Sequence, residues 1–207
     1  MIALYFAPKT CSLAVHIALE YIGIDYEAIK IDFSQQEQRK SEYLSINAKG
    51  RVPALAVDGT VITEVPAILF YLSQRFPQAN LAPLDSLEAS AQMQAFNAFL
   101  CSTVHVAHAH RFRGTRWVDE TETDAIDAMR RKVPESMGQC MALIEEGMLK
   151  GPWVMGEQFT VADMYLYTIA TWLEGDGVDI SKLPRVIEHR DRMSQMPAVQ
   201  GLQALYS

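Results

Sequence analysis

Apolar positions in the first third of the chain switch between two periods. "IALYF", Ile2 to Phe6, is a short apolar run that reads as a buried strand. Val15, Ala18, Leu19 and Ile22 then fall at i, i+3, i+4 and i+7, one face of a helix, and Gly23 is placed to end it. "YEAIKI" alternates and predicts a second strand. Strand, helix and strand at this spacing predict a right-handed crossover and a parallel pair. "VPALAV", Asp58-Gly59 and "TVIT" predict a tight hairpin, because Asp-Gly tolerates positive φ. A helix follows from about Glu64 to Arg75, with Ile68, Leu69 and Leu72 inward. A variable helical segment around Arg39 to Leu44 separates the two halves.

Beyond this point the pattern changes. "PQANLAPLDSLEAS" is bounded by Pro77 and Pro83 and reads as a linker. After it the period is helical throughout, predicting helices over 86–112, 122–149, 160–173 and 181–194 and a short one near the end. Neither an internal repeat nor a low-complexity tract is present. The expectation is an α/β domain over residues 1–78, a linker over 79–88 and an all-helical domain over 89–207.

Composition narrows the function. The 207 residues carry a net charge of −7, with no basic run, so nucleic acid is not expected as a partner. No apolar run approaches the roughly 18 residues of a membrane span, so no membrane is expected either. The N-terminus has no cationic leader ahead of an apolar core, and Lys9 and His16 interrupt it. Cys11, Cys101 and Cys140 fit neither a disulfide framework nor a zinc cluster. Together these predict a reducing, cytoplasmic setting.

Cys11 stands at the predicted mouth of the first helix. A helix N-terminus carries unpaired N–H groups and a partial positive charge, so a thiol there is expected to have a lowered pKa and to be reactive. A buried structural cysteine is the other reading. Cys11 lacks the second cysteine of a C-x-x-C pair, so a redox role would require an outside thiol. Cys101 and Cys140 lie within helical patterns and read as packing residues. Pro53 opens a strand, leaving Val52 as an extended residue whose backbone is free to grip a peptide-like ligand; a plain turn proline is the alternative. Glu64 begins a helix, as a first-turn charge or as a ligand contact.

Further on, Thr160 is a natural N-cap and Asp163 completes a capping box, with Phe159 and Met164 placed as a hydrophobic staple. His105, His108 and His110 invite a metal reading. His110 lies about 140° around the helix from His105, and no carboxylate nearby completes a set, so no metal is expected.

Four stretches taken in order resemble the signatures of cytosolic glutathione transferases: "YFAPKTCSLAVHIALE", "NAKGRVPAL", "TEVPAILFYL" and "GEQFTVADMYLY". The first is most similar to the bacterial beta class, which has a cysteine at the place of Cys11. The resemblance implies a thioredoxin-like N-terminal domain on a helical C-terminal domain, and a homodimer. It implies that Val52, before a cis Pro53, pairs with the cysteinyl backbone of glutathione, and that Glu64 helps bind the γ-glutamyl group. Lys49 either meets a ligand carboxylate or is solvated. Where many members carry a serine, this chain has Val65, whose N–H remains but whose hydroxyl is gone. Phe6 departs from classes that use a first-strand tyrosine, leaving Cys11 and Ser12 as partners for the sulfur. His105 falls at about the place of a beta-class histidine facing that sulfur, and the basic residue that follows it there is Val106 here. His108, Phe112, Arg113 and Trp117 are expected to wall a co-substrate pocket, with ordinary interdomain packing as the alternative for the last three. The implied activity is conjugation of the glutathione thiolate to small hydrophobic electrophiles, a detoxifying role. Thiol–disulfide reduction through Cys11 and non-catalytic binding are the alternatives.

Overall fold

The computed structural model describes residues 1–206. Its first part is a four-stranded sheet in the order β2-β1-β3-β4, built from β1 (Ile2–Phe6), β2 (Glu27–Lys30), β3 (Ala54–Val57) and β4 (Thr60–Thr63). β1 and β2 pair in parallel across helix α1 (Ser12–Ile22), as the crossover predicts. β3 runs antiparallel to β1 and turns back into β4 through Asp58 and Gly59, both at positive φ. Leu4, Phe6, Leu55 and Val57 point from the sheet into the main core. Tyr5 points the other way, onto Tyr43 of the short helix α2 (Ser41–Leu44), with ring centroids 5.8 Å apart.

α1 differs from its prediction. Every residue from Ser12 to Leu19 is buried, so the helix is covered on all sides rather than on one face. The sheet and α3 (Val65–Arg75) cover one side, and α7 (Val161–Ala170) of the helical part covers the other. Gly23 closes α1 in the left-handed conformation, its N–H donating to the Leu19 carbonyl.

The predicted helix over 86–112 is interrupted. α4 (Leu87–Phe99) runs into a π-helical segment, Leu100–Val104, then into α5 (His105–Ala109). Such wide turns shift the helix face that follows, and they occur often at functional sites. α6 (Thr123–Leu143) ends in a second π-helical segment, Ile144–Met148. α8 (Pro184–Ser194), α9 (Pro197–Gln200) and α10 (Gln203–Tyr206) complete the helical part.

The capping box at α7 is present and does more than cap. Asp163 is fully buried and accepts from the backbone N–H groups of Thr160 (2.8 Å) and Val154 (2.7 Å), and its carboxylate also meets His189 Nε2 of α8 at 3.0 Å. One carboxylate thus fixes the start of α7, the preceding loop and α8. Phe159, ahead of the cap, packs on Trp153 and on Tyr21 of α1.

Thr160→Ala should therefore cost about 0.5–2 kcal/mol, the ordinary value of a cap. Asp163→Ala strands several buried donors and should cost about 3–5 kcal/mol. Urea unfolding of the two variants checks the ranking; equal losses would reduce Asp163 to a simple cap.

Candidate active site

α1 and α3 both begin at the seam between the sheet and the helices, and a cavity of about 540 Å³ opens there. From the α/β part it is lined by Cys11, Val52, Pro53, Glu64 and Val65, and from the helical part by His105, His108, Phe112, Arg113 and Trp117. Ten of the sequence-derived site residues therefore meet in one space.

The loop before Pro53 is tightly held. The Arg51 carbonyl accepts from the Tyr43 hydroxyl (2.6 Å) and from Asn47 Nδ2 (2.7 Å). The Val52–Pro53 bond is cis. Pairing with β1 begins at Ala54, so the Val52 N–H has no hydrogen-bond partner among the described residues. Glu64 caps α3 at φ +74°, a conformation that costs a non-glycine residue about 1–3 kcal/mol. Glu64 and Val65 both line the cavity there, and the Val65 N–H has no partner among the described residues. A helix N-terminus with a free N–H suits a carboxylate, even without the serine hydroxyl.

Two of the expected site residues lie off the cavity lining. Ser12 opens α1 but does not line the cavity. Its hydroxyl turns inward, donating to the Ala7 carbonyl at 3.1 Å and meeting Thr10 Oγ1 (2.7 Å) and the Tyr206 hydroxyl (3.2 Å). Burial around the whole helix leaves the side chain no route to the seam. Lys49 does not line the cavity either; its ammonium is paired with the Glu64 carboxylate and bonded to Thr63 Oγ1 at 2.6 Å. The pair holds the Glu64 carboxylate in place.

The thiol of Cys11 also departs from expectation. Burial pushes its pKa up to about 12, with the neighbouring Cys101 thiol adding to the rise. The helix start compensates only in part: the Cys11 N–H lowers the pKa, while the next three N–H groups are already used. Ser12 N–H donates to Thr10 Oγ1, Leu13 N–H to the Thr10 carbonyl and Ala14 N–H to the Cys11 carbonyl. Arg116 pulls the pKa down only weakly. At neutral pH the side chain is a thiol, with Sγ 3.6 Å from the Val52 carbonyl.

Above Cys11, His105 Nδ1 lies 3.4 Å from the Tyr165 hydroxyl, and burial lowers the His105 pKa to about 4. The imidazole is neutral at pH 7. His108 stacks on Trp172 at 4.1 Å, and its Nδ1 is 2.7 Å from the buried carboxylate of Asp176, which Arg111 also meets at 3.2 Å. No group of histidines, cysteines and carboxylates suited to a metal ion occurs among the described residues.

Several lining residues escaped the sequence reading. Cys101, assigned to packing, lines the cavity from the π-helical segment. Arg39, Arg51, Arg116, Tyr165 and Trp172 also reach it. Arg51 adjoins the Val52-Pro53 pair and Arg116 adjoins Trp117, so neighbourhood was the available signal.

Comparison with known proteins agrees with this geometry. Residues 2–74 match the family model for the glutathione S-transferase N-terminal domain, and residues 123–192 match that for its C-terminal domain. A glutathione transferase homologue from Sulfitobacter, solved with bound glutathione, superimposes with a TM-score of 0.94 at 41% identity, covering 99% of this chain and 97% of that one. A beta-class glutathione S-transferase from Sphingomonas chungbukensis gives a TM-score of 0.83 at 31% identity over 96% of each chain. Glutathione S-transferase GstA of Escherichia coli O157:H7 is 28% identical, covering 95% of this chain and 94% of its own length. The chain belongs to the glutathione S-transferase family, with a bacterial beta-class member among its structural neighbours, and is an enzyme of the transferase type.

A thiol with a pKa of about 12 should react slowly. In the ligand-free protein, alkylation of Cys11 by iodoacetamide should be slower than that of free cysteine near neutral pH. Its rate should rise with pH without levelling off below about pH 10. Mass spectrometry of the labelled peptide checks this, and a plateau near pH 7 would restore the reactive-thiolate reading.

Proposed function

We propose that the protein conjugates the thiolate of glutathione to small electrophiles in the cavity at the seam. The observation that carries this is the convergence of Cys11, the free Val52 backbone, Glu64 and Val65 opposite His105 in one cleft. Relatives solved with glutathione bound support the choice of tripeptide.

Glutathione lies along Val52, exchanging backbone hydrogen bonds through its cysteinyl residue. Its γ-glutamyl carboxylate takes the Val65 N–H, and its ammonium takes the Glu64 carboxylate, itself steadied by Lys49. The sulfur then rests at Cys11. Protonated Cys11 acts there as an S–H donor to the glutathione thiolate, not as the nucleophile. Arg116 and the neutral His105 face the same point from the helical part. The thiol proton leaves to solvent, and the thiolate attacks the electrophilic carbon. The C–S bond forms as the leaving group departs with its electron pair. The electrophile sits against Phe112, Trp117 and Trp172.

The cell setting is the cytoplasm, and the role is clearance of reactive electrophiles. The working form is a homodimer, supported by the exposed apolar side chains of Phe70 on α3 and Leu87 at the start of α4. The high pKa of Cys11 counts against thiol–disulfide reduction as the main activity.

Two substitutions test the assignment. Glu64→Gln should weaken glutathione binding by about tenfold or more, the value of one charged hydrogen bond, as read by calorimetry. Cys11→Ser keeps a donor and should retain most conjugating activity, whereas Cys11→Ala should lose about tenfold or more in kcat. Equal loss in both Cys11 variants would point to sulfur chemistry at Cys11 itself. Absence of any calorimetric response to millimolar glutathione would end the assignment.

A further inference from the structure

The mouth of the cavity is strongly cationic in a chain whose net charge is −7. Lys9, Arg39 and Arg51 line it from the α/β part, and Arg113 and Arg116 from the turn after α5. None of these side chains is in an ion pair among the described residues. Among the described residues the one carboxylate lining the cavity, Glu64, is already paired with Lys49. Glutathione does not neutralise this set. It carries two carboxylates and one ammonium, and the γ-glutamyl carboxylate and ammonium have their own places at Val65 and Glu64. The remaining glycyl carboxylate needs only the cations of the α/β part, on whose side the tripeptide lies. Arg113 and Arg116 are left facing the electrophile with no counter-charge.

Their position has a second property. Arg116 lines the same cavity as Cys11 and pulls the thiol's pKa down weakly, so its charge is felt at the sulfur. Partial desolvation and the nearby Arg51, Arg113 and Arg39 lower the pKa of Arg116 itself, the signature of guanidiniums crowded without an anion. Flat rings, Phe112, Trp117 and Trp172, line the same cavity from the helical part. Guanidinium forks bind carboxylates in a planar, two-bond geometry, and aromatic faces pack planar bodies.

We infer that the electrophile lobe is built for an anionic co-substrate, a planar electrophile bearing a carboxylate that Arg113 and Arg116 hold while its reactive carbon faces the glutathione sulfur. The inference rests on glutathione conjugation at this site and names the substrate class. The carboxylate takes no part in the bond changes. It fixes the orientation of the ring, and the attractive field gathers anions from solution.

The probes are 4-chloro-3,5-dinitrobenzoate and its amide, nearly isosteric and differing in charge. In each, the thiolate displaces chloride, which leaves with its electron pair as the C–S bond forms. Rates are normalised to the uncatalysed reaction of each compound with glutathione. The benzoate should be preferred in kcat/KM by about tenfold or more, mostly through KM. Raising the salt from about 10 mM to about 500 mM should erode that preference. Arg113→Met and Arg116→Met should each lower the benzoate-to-amide ratio by about tenfold, and Arg116→Lys should restore part of it. The ratio is internal to each variant, and the wild-type ratio and its salt dependence stand even where a variant folds poorly. Equal normalised turnover of the two compounds, unchanged by salt, would overturn the inference and leave glutathione conjugation standing. Turnover of neither compound would overturn the conjugation reading and this inference with it.

Discussion

Until its last turn the first helix gives no face to water. From Ser12 to Leu19 every side chain is buried, so the helix must be covered twice, by its own sheet and by α7. That requirement holds the two parts of the chain together, and it decides where the chemistry sits. The start of α1 opens into the seam, Cys11 with it, and the Val52–Pro53 corner and the start of α3 border the same gap. The cavity is the space left where two layers cover one helix and meet imperfectly at its end.

The same burial sets the character of the thiol. A cysteine at a helix start is expected to be an activated nucleophile, yet here only the Cys11 N–H favours a thiolate, and those of Ser12, Leu13 and Ala14 are spent on the Thr10 and Cys11 carbonyls and the Thr10 hydroxyl. Desolvation then dominates, and the side chain stays protonated. Positive charge is supplied from farther out, by guanidiniums around the mouth. The site therefore favours anions without making an anion of its own cysteine.

Much of the fold was legible because it is local. The period change from Ile2 to Arg75, the Asp58-Gly59 turn, Gly23 and the Thr160–Asp163 box each involve residues close in sequence. The site was legible where single positions carry it: Cys11, Val52, Pro53, Glu64 and His105 all line the cavity. What was not legible depends on rotation or on distance. Nothing in the sequence tells which way the Ser12 hydroxyl turns once α1 is covered on both sides. Lys49 finds Glu64 only after β3 and β4 have folded back. The arginines gather from positions 39, 51, 113 and 116, and the π-helical segment that presents Cys101 leaves no mark in an apolar period.

The Tyr206 hydroxyl reaches Ser12 and the Nδ1 of His16, at sequence separations of 194 and 190 residues. The polar atoms on the inner side of α1 are therefore completed by a tyrosine from the far end of the described chain. Closing so wide a loop brings a large entropic cost that local contacts cannot offset early. While the chain is being made, the α/β part can assemble its sheet, yet α1 stays incompletely satisfied until the whole helical part has been synthesised and has docked. Maturation of the thiol's surroundings is thus coupled to the last stage of folding, and a half-made chain presents an open seam in place of a finished cleft.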